Sequence, residues 1–306
     1  MALTLLDFVT DSCEELGLTA PNAVVGATDE QTIQMLALAN RVLQFLQRRY
    51  EWRRCTVQYV FQTSDSVTGE TGDVTADSAV ITNITDTSAL AAGMIVAGDG
   101  IEGFPSILTV DSASQITMDM AASTTGTTVA LTFSTQDYAL PSDYDRMVSD
   151  TNFDRTNFWS NIGPKSSQEW QYLNSGLISI SPRFRWRLYG NKIRFFSAPA
   201  AVYNMVFEYV STYTVLATVG TSPTKAKFTV DTDTCIFPDD LVILGIKAYW
   251  YRAKGLSWQD TWQEFTDTAS TAAAQDGAPP RLSLSPQFGE FLLTPESIPD
   301  GNWTLS

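Results

Sequence analysis

Residues 138–176 have the sequence YALPSDYDRMVSDTNFDRTNFWSNIGPKSSQEWQYLNSG, and this stretch decides how the fold is organised. Pro141 keeps the residue before it extended, so a strand is predicted to end at Leu-Pro-Ser-Asp. Ser166 is predicted to open a short helix that carries Trp170 and ends at Gly176. Between them lies a run of polar and aromatic residues, whose rings must pack on the chain's own core or on a partner.

Composition limits the classes of protein to which the chain can belong. Its 306 residues predict two domains, or one domain with an insertion. No apolar run approaches the ~20 residues of a membrane span, and the first residues lack the basic start of a signal peptide. We therefore expect no membrane partner.

The chain has no histidine and only three scattered cysteines, Cys13, Cys55 and Cys235. The missing histidine removes the commonest general base and the commonest ligand of zinc. An odd number of cysteines without paired spacing indicates buried thiols rather than disulfides. We expect no metal, no cofactor and no enzymatic activity; carboxylate or lysine chemistry is the catalytic alternative that remains.

Negative charge is concentrated in one part of the chain. The net charge is −15, and residues 55–145 contain twelve acids but no lysine or arginine. Such a surface repels nucleic acid, which argues against sequence-specific DNA binding. It is compatible with a wall past which DNA slides.

Four long helices are predicted from apolar spacing and from their start and stop signals. They cover residues 3–16, residues 28–52, a segment from Pro238 to Gly255, and residues 258–275. The segment that starts at Pro238 is apolar nearly all round, which predicts burial between partners. A short loop joins it to the last helix, so the two are predicted to form a helical hairpin.

The predicted helix over residues 28–52 is the longest, at roughly 36 Å, and Thr28 with Gln31 is predicted to form its capping box. Four arginines at its end either compensate the helix dipole or contact an acidic neighbour, such as the acidic stretch of an identical copy. They are Arg48, Arg49, Arg53 and Arg54.

A change of composition marks a candidate insertion over residues 64–134. This segment is rich in Thr, Ser, Ala, Gly and Asp, and short strands alternate in it with turns. We predict a small all-β sandwich inserted into a host made of residues 1–63 and 135–276.

After residue 176 the pattern is again that of strands, with residues 183–189 and 192–196 predicted to form a hairpin. Arg183, Arg185 and Arg187 alternate with apolar residues in the first of these strands. They form either a solvated basic face or a site for a nucleic acid strand, and the surrounding acids favour the solvated face.

The last segment, residues 277–306, is rich in Pro, Ser and Gly and has no helical period. We interpret it as an extended arm that orders on another subunit; the alternative is an arm folded back on its own domain. Its large apolar residues are Phe288, Phe291, Leu292, Leu293 and Trp303.

Taken together, the pattern predicts an α+β protein. We expect a helical bundle built from the long helices of the N-terminal and C-terminal regions, a β-sheet subdomain, and the inserted sandwich.

Three segments carry a resemblance to a known family: YALPSDYDRMVSDTNFDRTN, GPKSSQEWQYL and FPDDLVILGIKAYWYRAKGLSW. The chain resembles the head-to-tail adaptor (connector) proteins of short-tailed bacteriophages over most of residues 1–60 and 135–280. Residues 64–134 look like the immunoglobulin-like inserts of phage structural proteins.

The resemblance implies a structural protein of the virion neck that is assembled in the host cytoplasm. Such adaptors form a ring, usually of twelve copies, beneath the portal. The ring extends the DNA channel and docks the tail, and a C-terminal arm commonly reaches the portal. The expected partners are therefore identical copies, portal, tail proteins and passing DNA.

Two alternatives of other classes remain open. A virion-associated glycoside hydrolase needs only two carboxylates, for which the aspartates of the opening stretch are candidates. Turn formation and salt bridges with Arg146 and Arg155 are the structural explanation of the same acids. A glycan-binding tail protein could use the inserted module. The four candidate acids are Asp143, Asp145, Asp150 and Asp154.

Overall fold

The computed structural model describes residues 3–50, 52–174, 183–217 and 222–277. Within them the chain forms two compact units. The first holds the residues up to 57, together with 143–147 and 209–277, and the second holds residues 58–142 and 148–208.

The described residues form five α-helices and sixteen strands. The helices are α1 (Leu5–Glu15), α2 (Glu30–Arg49), α3 (Ser167–Asn174), α4 (Asp239–Lys254) and α5 (Gln259–Asp276). The strands are β1 (Thr56–Gln62), β2 (Val67–Val74), β3 (Val80–Ile81), β4 (Ile95–Gly98), β5 (Ile107–Ser112), β6 (Gln115–Met118), β7 (Gly126–Ser134), β8 (Asp137–Ala139), β9 (Tyr144–Met147), β10 (Phe153–Asp154), β11 (Trp159–Ser160), β12 (Arg185–Tyr189), β13 (Lys192–Phe196), β14 (Asn204–Ser211), β15 (Val215–Leu216) and β16 (Thr234–Cys235).

The strands pair into five small sheets rather than one large one. One has the order β1-β14-β10-β11 with β9 also on β14; the others are β12-β13-β8, β2-β7-β4, β3-β6-β5 and β15-β16. The predicted hairpin over residues 183–196 is confirmed, since β12 and β13 pair antiparallel with Tyr189 opposite Lys192.

The helices of the first unit pack around α4, which contacts α1, α2 and α5. Every residue of α4 from Leu241 to Trp250 is buried or half-buried, as its all-round apolar pattern predicted. Gly245 allows the closest approach: a Cβ added there would lie 2.7 Å from Cγ1 of Val42 and 2.9 Å from Cε2 of Phe265. Close helix packing therefore depends on this missing side chain.

The expected bundle of long helices is wrong. About 29% of the described residues are helical and about 31% are in strands, which form several antiparallel sheets. The helix expected over residues 28–52 ends at Arg49, because Tyr50 is extended (φ −122°, ψ 154°). The indole N–H of Trp52 donates to the carbonyl oxygen of Leu46 at 2.9 Å, and the same oxygen accepts the backbone N–H of Tyr50 at 3.3 Å.

The expected capping box of α2 is also wrong. The carboxylate of Asp29 accepts the backbone N–H of Thr32 at 2.9 Å and so caps the helix. Gln31 instead donates to the carbonyl oxygen of Thr19 at 3.3 Å. The capping box expected at α3 does form, because the Ser166 hydroxyl and the Glu169 carboxylate each accept the other residue's N–H.

Residues 64–134 surround a hydrophobic core of their own within the second unit. Their two three-stranded sheets contribute to it, with Ile81, Ile116 and Phe133 fully buried. Strand β2 is absent from the sequence prediction because its Gly- and Asp-containing sequence, VTGETGDV, is typical of turns. The division into a host and an independently folding insert stays a prediction.

Elsewhere in the second unit, aromatic rings fill the core. Phe61, Tyr138, Phe195 and Phe207 form a chain of contacts with ring centroids 5.6 to 6.4 Å apart. The residue that opens the 138–176 stretch is thus a core residue. Among the described helices, none is both long and apolar enough to cross a membrane.

A buried carboxylate holds the start of α1 in the first unit. Asp233 accepts the ammonium of Lys225 at 2.8 Å and the N–H groups of Thr229 at 2.8 Å and Val230 at 3.0 Å. The backbone carbonyl oxygen of Asp233 accepts the N–H of Leu5, the first residue of α1, at 2.8 Å. Burial raises the pKa of the Asp233 carboxyl, but the lysine and the N–H donors outweigh it and lower the pKa below its ordinary 3.8.

We expect Gly245→Ala to lower the free energy of unfolding by about 1–3 kcal/mol, because the new methyl group overpacks α4. This change in the free energy of unfolding is opposite in sign to that expected from the usual preference of helices for alanine over glycine. Thermal and urea unfolding measure it, with Gly277→Ala as the control. At that position the nearest atom to an added Cβ is the Ala273 carbonyl oxygen, 3.8 Å away. A stabilised Gly245→Ala protein would contradict the packing argument.

We expect Asp233→Asn to cost about 2–3 kcal/mol at pH 7, since it leaves Lys225 without its partner. The folded pKa is lowered, so the stabilisation is present above the ordinary value of 3.8 and is lost as the pH falls through the folded pKa. Urea unfolding at pH 7 and below pH 3 should therefore show the difference from the natural chain shrinking in acid. The exposed Asp65→Asn is the control, and an equal difference at both pH values would argue against the ion pair.

Candidate assembly surfaces

An exposed basic face lies on α2 and is called here the arginine surface: Arg41, Arg48 and Arg49, beside Tyr249 of α4. Arg48 and Arg49 follow Arg41 by seven and eight positions, so the three lie on one side of the helix. With Gln44 and Phe45 they line a shallow cavity of about 360 Å³. Two of the arginines also lie in the last turn, where positive charge suits the helix dipole.

One residue of the arginine surface, Arg41, contacts an aromatic ring. The guanidinium carbon of Arg41 lies 5.2 Å from the ring centroid of Tyr249. Neither Arg41, Arg48 nor Arg49 forms an ion pair with any residue that the structure describes. Burial raises the pKa of the neighbouring Tyr50 hydroxyl, and Arg49 opposes that shift. The positive charge of this surface is therefore available to a partner.

The other two arginines of the predicted site differ from each other. Arg54 donates from Nε to Asp276 at 2.5 Å and from Nη1 to the carbonyl oxygen of Ile236 at 2.5 Å, so it joins the turn after α2 to the end of α5. Arg53 is exposed and makes no ion pair within the described ranges. The structure thus groups Arg48 and Arg49 with Arg41, which the sequence analysis missed although its spacing could have shown it.

The aromatic and aliphatic residues of the expected arm lie outside the described residues. Their contact with a partner stays a prediction. They are Phe288, Phe291, Leu292, Leu293 and Trp303.

Two acids of the opening stretch belong to the first unit and have local partners. The carboxylate of Asp143 accepts the Tyr209 hydroxyl at 2.9 Å and the Ser211 hydroxyl at 2.5 Å. Asp145 accepts Gln47 at 3.2 Å and forms an ion pair with Arg146 at 3.0 Å. Both carboxylates therefore stabilise the pairing region of β9 and β14.

The other two acids belong to the second unit and form turns. Asp154 is fully buried and accepts the N–H groups of Thr156 at 2.8 Å and Asn157 at 3.2 Å. Asp150 is exposed in the left-handed region with φ 59°. An ion pair of Arg155 with these acids was expected, but within the described ranges none forms. No group of three or more potential metal ligands occurs among the described residues.

The basic face expected on β12 is wrong at Arg187. This side chain is 9% exposed, whereas Leu188 is 40% exposed. Arg187 is buried because its guanidinium lies over two aromatic rings. The guanidinium carbon is 4.5 Å from the ring centroid of Trp170 and 5.0 Å from that of Tyr189.

An exposed cationic face that has no acidic partner among the described residues is typical of a structural protein that assembles with others. Residues 108–282 match the model of the SU10 adaptor protein family, and because this is more than half of the chain, the chain belongs to that family. No curated protein shows significant similarity to it.

The family confirms the resemblance to phage head-tail adaptors. The chain therefore has a structural role as a bacteriophage adaptor. An adaptor of this kind lies at the virion neck and interacts with portal and tail proteins.

Proposed function

We propose that the chain forms a ring of twelve copies between portal and tail, extends the DNA channel, and docks the tail. The ring assembles in the host cytoplasm and has no catalytic role. The arginine surface is the observation that carries the proposal, because a chain of net charge −15 keeps three arginines together without an acidic partner in the described residues.

The acidic stretch of a second copy supplies the complement to the arginine surface. Residues 55–145 hold twelve acids and no basic residue. Three solvent-accessible carboxyls in this stretch have a lowered pKa, because a hydrogen bond favours the ionised form of each. The donor is Asn83 for Asp73, the Ser88 N–H for Asp86, and Thr117 for Asp111. Alternation of positive and negative patches around a closed ring makes each copy bind the next in the same way.

The excess of acidic over basic residues is also favourable for the wall of the proposed DNA channel. DNA carries one negative charge per ~1.7 Å of its axis, so an acidic wall repels it and leaves it free to slide. The partner along this channel is therefore genomic DNA that passes without sequence-specific contact.

The C-terminal arm, residues 277–306, supplies the apolar part of assembly. Its Phe288, Phe291, Leu292, Leu293 and Trp303 order on the portal or on a neighbouring copy, where their burial contributes binding free energy.

We expect Arg48→Glu with Arg49→Glu to weaken ring formation at least about tenfold. The reason is that the new glutamates would face the acidic stretch of the neighbouring copy. Negative-stain microscopy and mass photometry of the protein co-expressed with its portal measure the effect. Raising the salt concentration should weaken the natural ring in the same direction.

The control for that experiment changes the net charge equally at another place. Arg155→Glu with Lys192→Glu alters two exposed residues of the second unit and should leave rings intact. Rings that form equally well with the Arg48 and Arg49 substitutions would exclude the arginine surface as the interface. The absence of any ring with the natural chain and its portal would contradict the proposed function.

Truncation after Asp276 should leave the protein folded, because Asp276 and its ion pair with Arg54 are retained. It should weaken portal binding, since the apolar arm is lost. Thermal unfolding and surface-immobilised portal binding measure the two effects, with Thr294→Ala and Ser297→Ala in the full chain as a mild control. Equal portal affinity of the truncated and full chains would refute the role of the arm.

A further inference from the structure

The second unit contains a cleft of about 620 Å³ between α3 and the hairpin of β12 and β13. Its walls combine aromatic, basic and uncharged polar side chains with one acid, Asp119. They include Met120, Trp170, Asn174, Arg187, Tyr189 and Arg194.

Arg187 is the unusual residue of this cleft. Its side chain is nine-tenths buried, and its Nε has no hydrogen-bond partner among the described residues. Trp170 and Tyr189 hold the guanidinium by its faces, which leaves its N–H edge for a planar acceptor. Burial and the nearby Arg194 lower the pKa of Arg187, yet a guanidinium stays charged at any physiological pH.

The other charges on the cleft wall already have partners. Arg194 donates from two nitrogens to Asp137, at 2.6 and 2.7 Å. The carboxylate of Asp119 accepts both the N–H and the hydroxyl of Ser106, at 2.7 and 2.8 Å. Arg187 therefore lacks an ion pair within the described ranges, and a buried unpaired charge is costly. A carboxylate with its two oxygens in one plane would match its edge.

The sequence indicates where such a carboxylate comes from. Outside the described residues, 175–182 (SGLISISP, which follow α3) and 218–221 contain no acid, and the one acid there before residue 278 is Glu51, next to α2 in sequence. After Arg281 the chain has no further lysine or arginine but has Glu290, Glu296 and Asp300. These acids alternate with the large apolar residues of the arm, so charge and apolar character both complement the cleft.

We propose that residues 288–300 bind in the Arg187 cleft of the free protein, with a carboxylate on the guanidinium edge and an aromatic ring against Trp170 and Met120. This shelters the apolar arm from water before assembly. The proposal does not depend on the ring. A phosphate of nucleic acid fits less well, because Asp119 lies on the same wall of an already acidic protein.

Photo-crosslinking tests the proposal on the full chain in free form. Benzoylphenylalanine replaces Phe291, the protein is irradiated, and mass spectrometry locates the attachment sites. We expect crosslinks to Met120, Trp170 or Tyr189. Mixing isotope-labelled and unlabelled protein shows whether the cleft belongs to the same chain or to a second copy, and either result supports the site.

Two variants test the charge contact. Arg187→Gln should lower the crosslink yield to the cleft at least about fivefold. Since that variant alters a buried side chain, the second one changes only the arm: Glu290→Gln, Glu296→Gln and Asp300→Asn together should give the same loss. Lys192→Gln is the control, because it removes one positive charge from the exposed end of the same hairpin.

Crosslinks that miss the cleft, or a yield that the arm variant leaves unchanged, would overturn the proposal. So would an oligonucleotide that binds the free protein and loses affinity with Arg187→Gln, since the ligand would then be nucleic acid. Ring formation with the portal is scored separately by microscopy. Failure of the cleft proposal is thereby distinguished from failure of the ring function.

Discussion

Close packing around α4 is the constraint on which the first unit depends. Its residues from Leu241 to Trp250 are buried or half-buried, and the helix packs against α1, α2 and α5. Gly245 sets how near Val42 and Phe265 approach it. A helix buried in this way gives a stiff support, and the arginine surface on α2 is built on that support. Stiffness matters for assembly because a preorganised surface loses little entropy on binding.

Acidic side chains contribute to this protein in two different ways. Some stabilise the fold because each accepts several hydrogen bonds from neighbouring residues. They are Asp233 at the start of α1, Asp143 beside β14, and Asp154 in a buried turn. These hydrogen bonds give the acids of the aspartate-rich stretch a structural role. Others, such as Asp86 and Asp111, are exposed, and hydrogen bonds from Ser88 and Thr117, respectively, lower the pKa of their carboxyls. The exposed ones give the surface a negative field, which in the proposed ring would face a neighbour's arginines and the proposed DNA channel.

The sequence predicted elements best where a local signal was enough. The apolar spacing and Gly255 located α4 and its end, and Ser166 with Glu169 located the start of α3. Prediction failed where tertiary contacts competed with local ones. Strand β2 forms from turn-like residues because β7 offers it a partner. Helix α2 ends at Arg49, where the chain becomes extended at Tyr50 and the Trp52 indole bonds back to the Leu46 carbonyl oxygen.

The sequence by itself determined the charge distribution, the buried character of α4 and the similarity to phage adaptors, because each depends on composition or on short-range spacing. Only the tertiary structure decided which arginines are available. Arg54 is bound to Asp276, 222 positions away in the chain, and Arg187 lies buried against the rings of Trp170 and Tyr189. Whether an arginine meets an acid or a ring depends on elements that folding brings together, and an alternating or helical pattern carries no information about that.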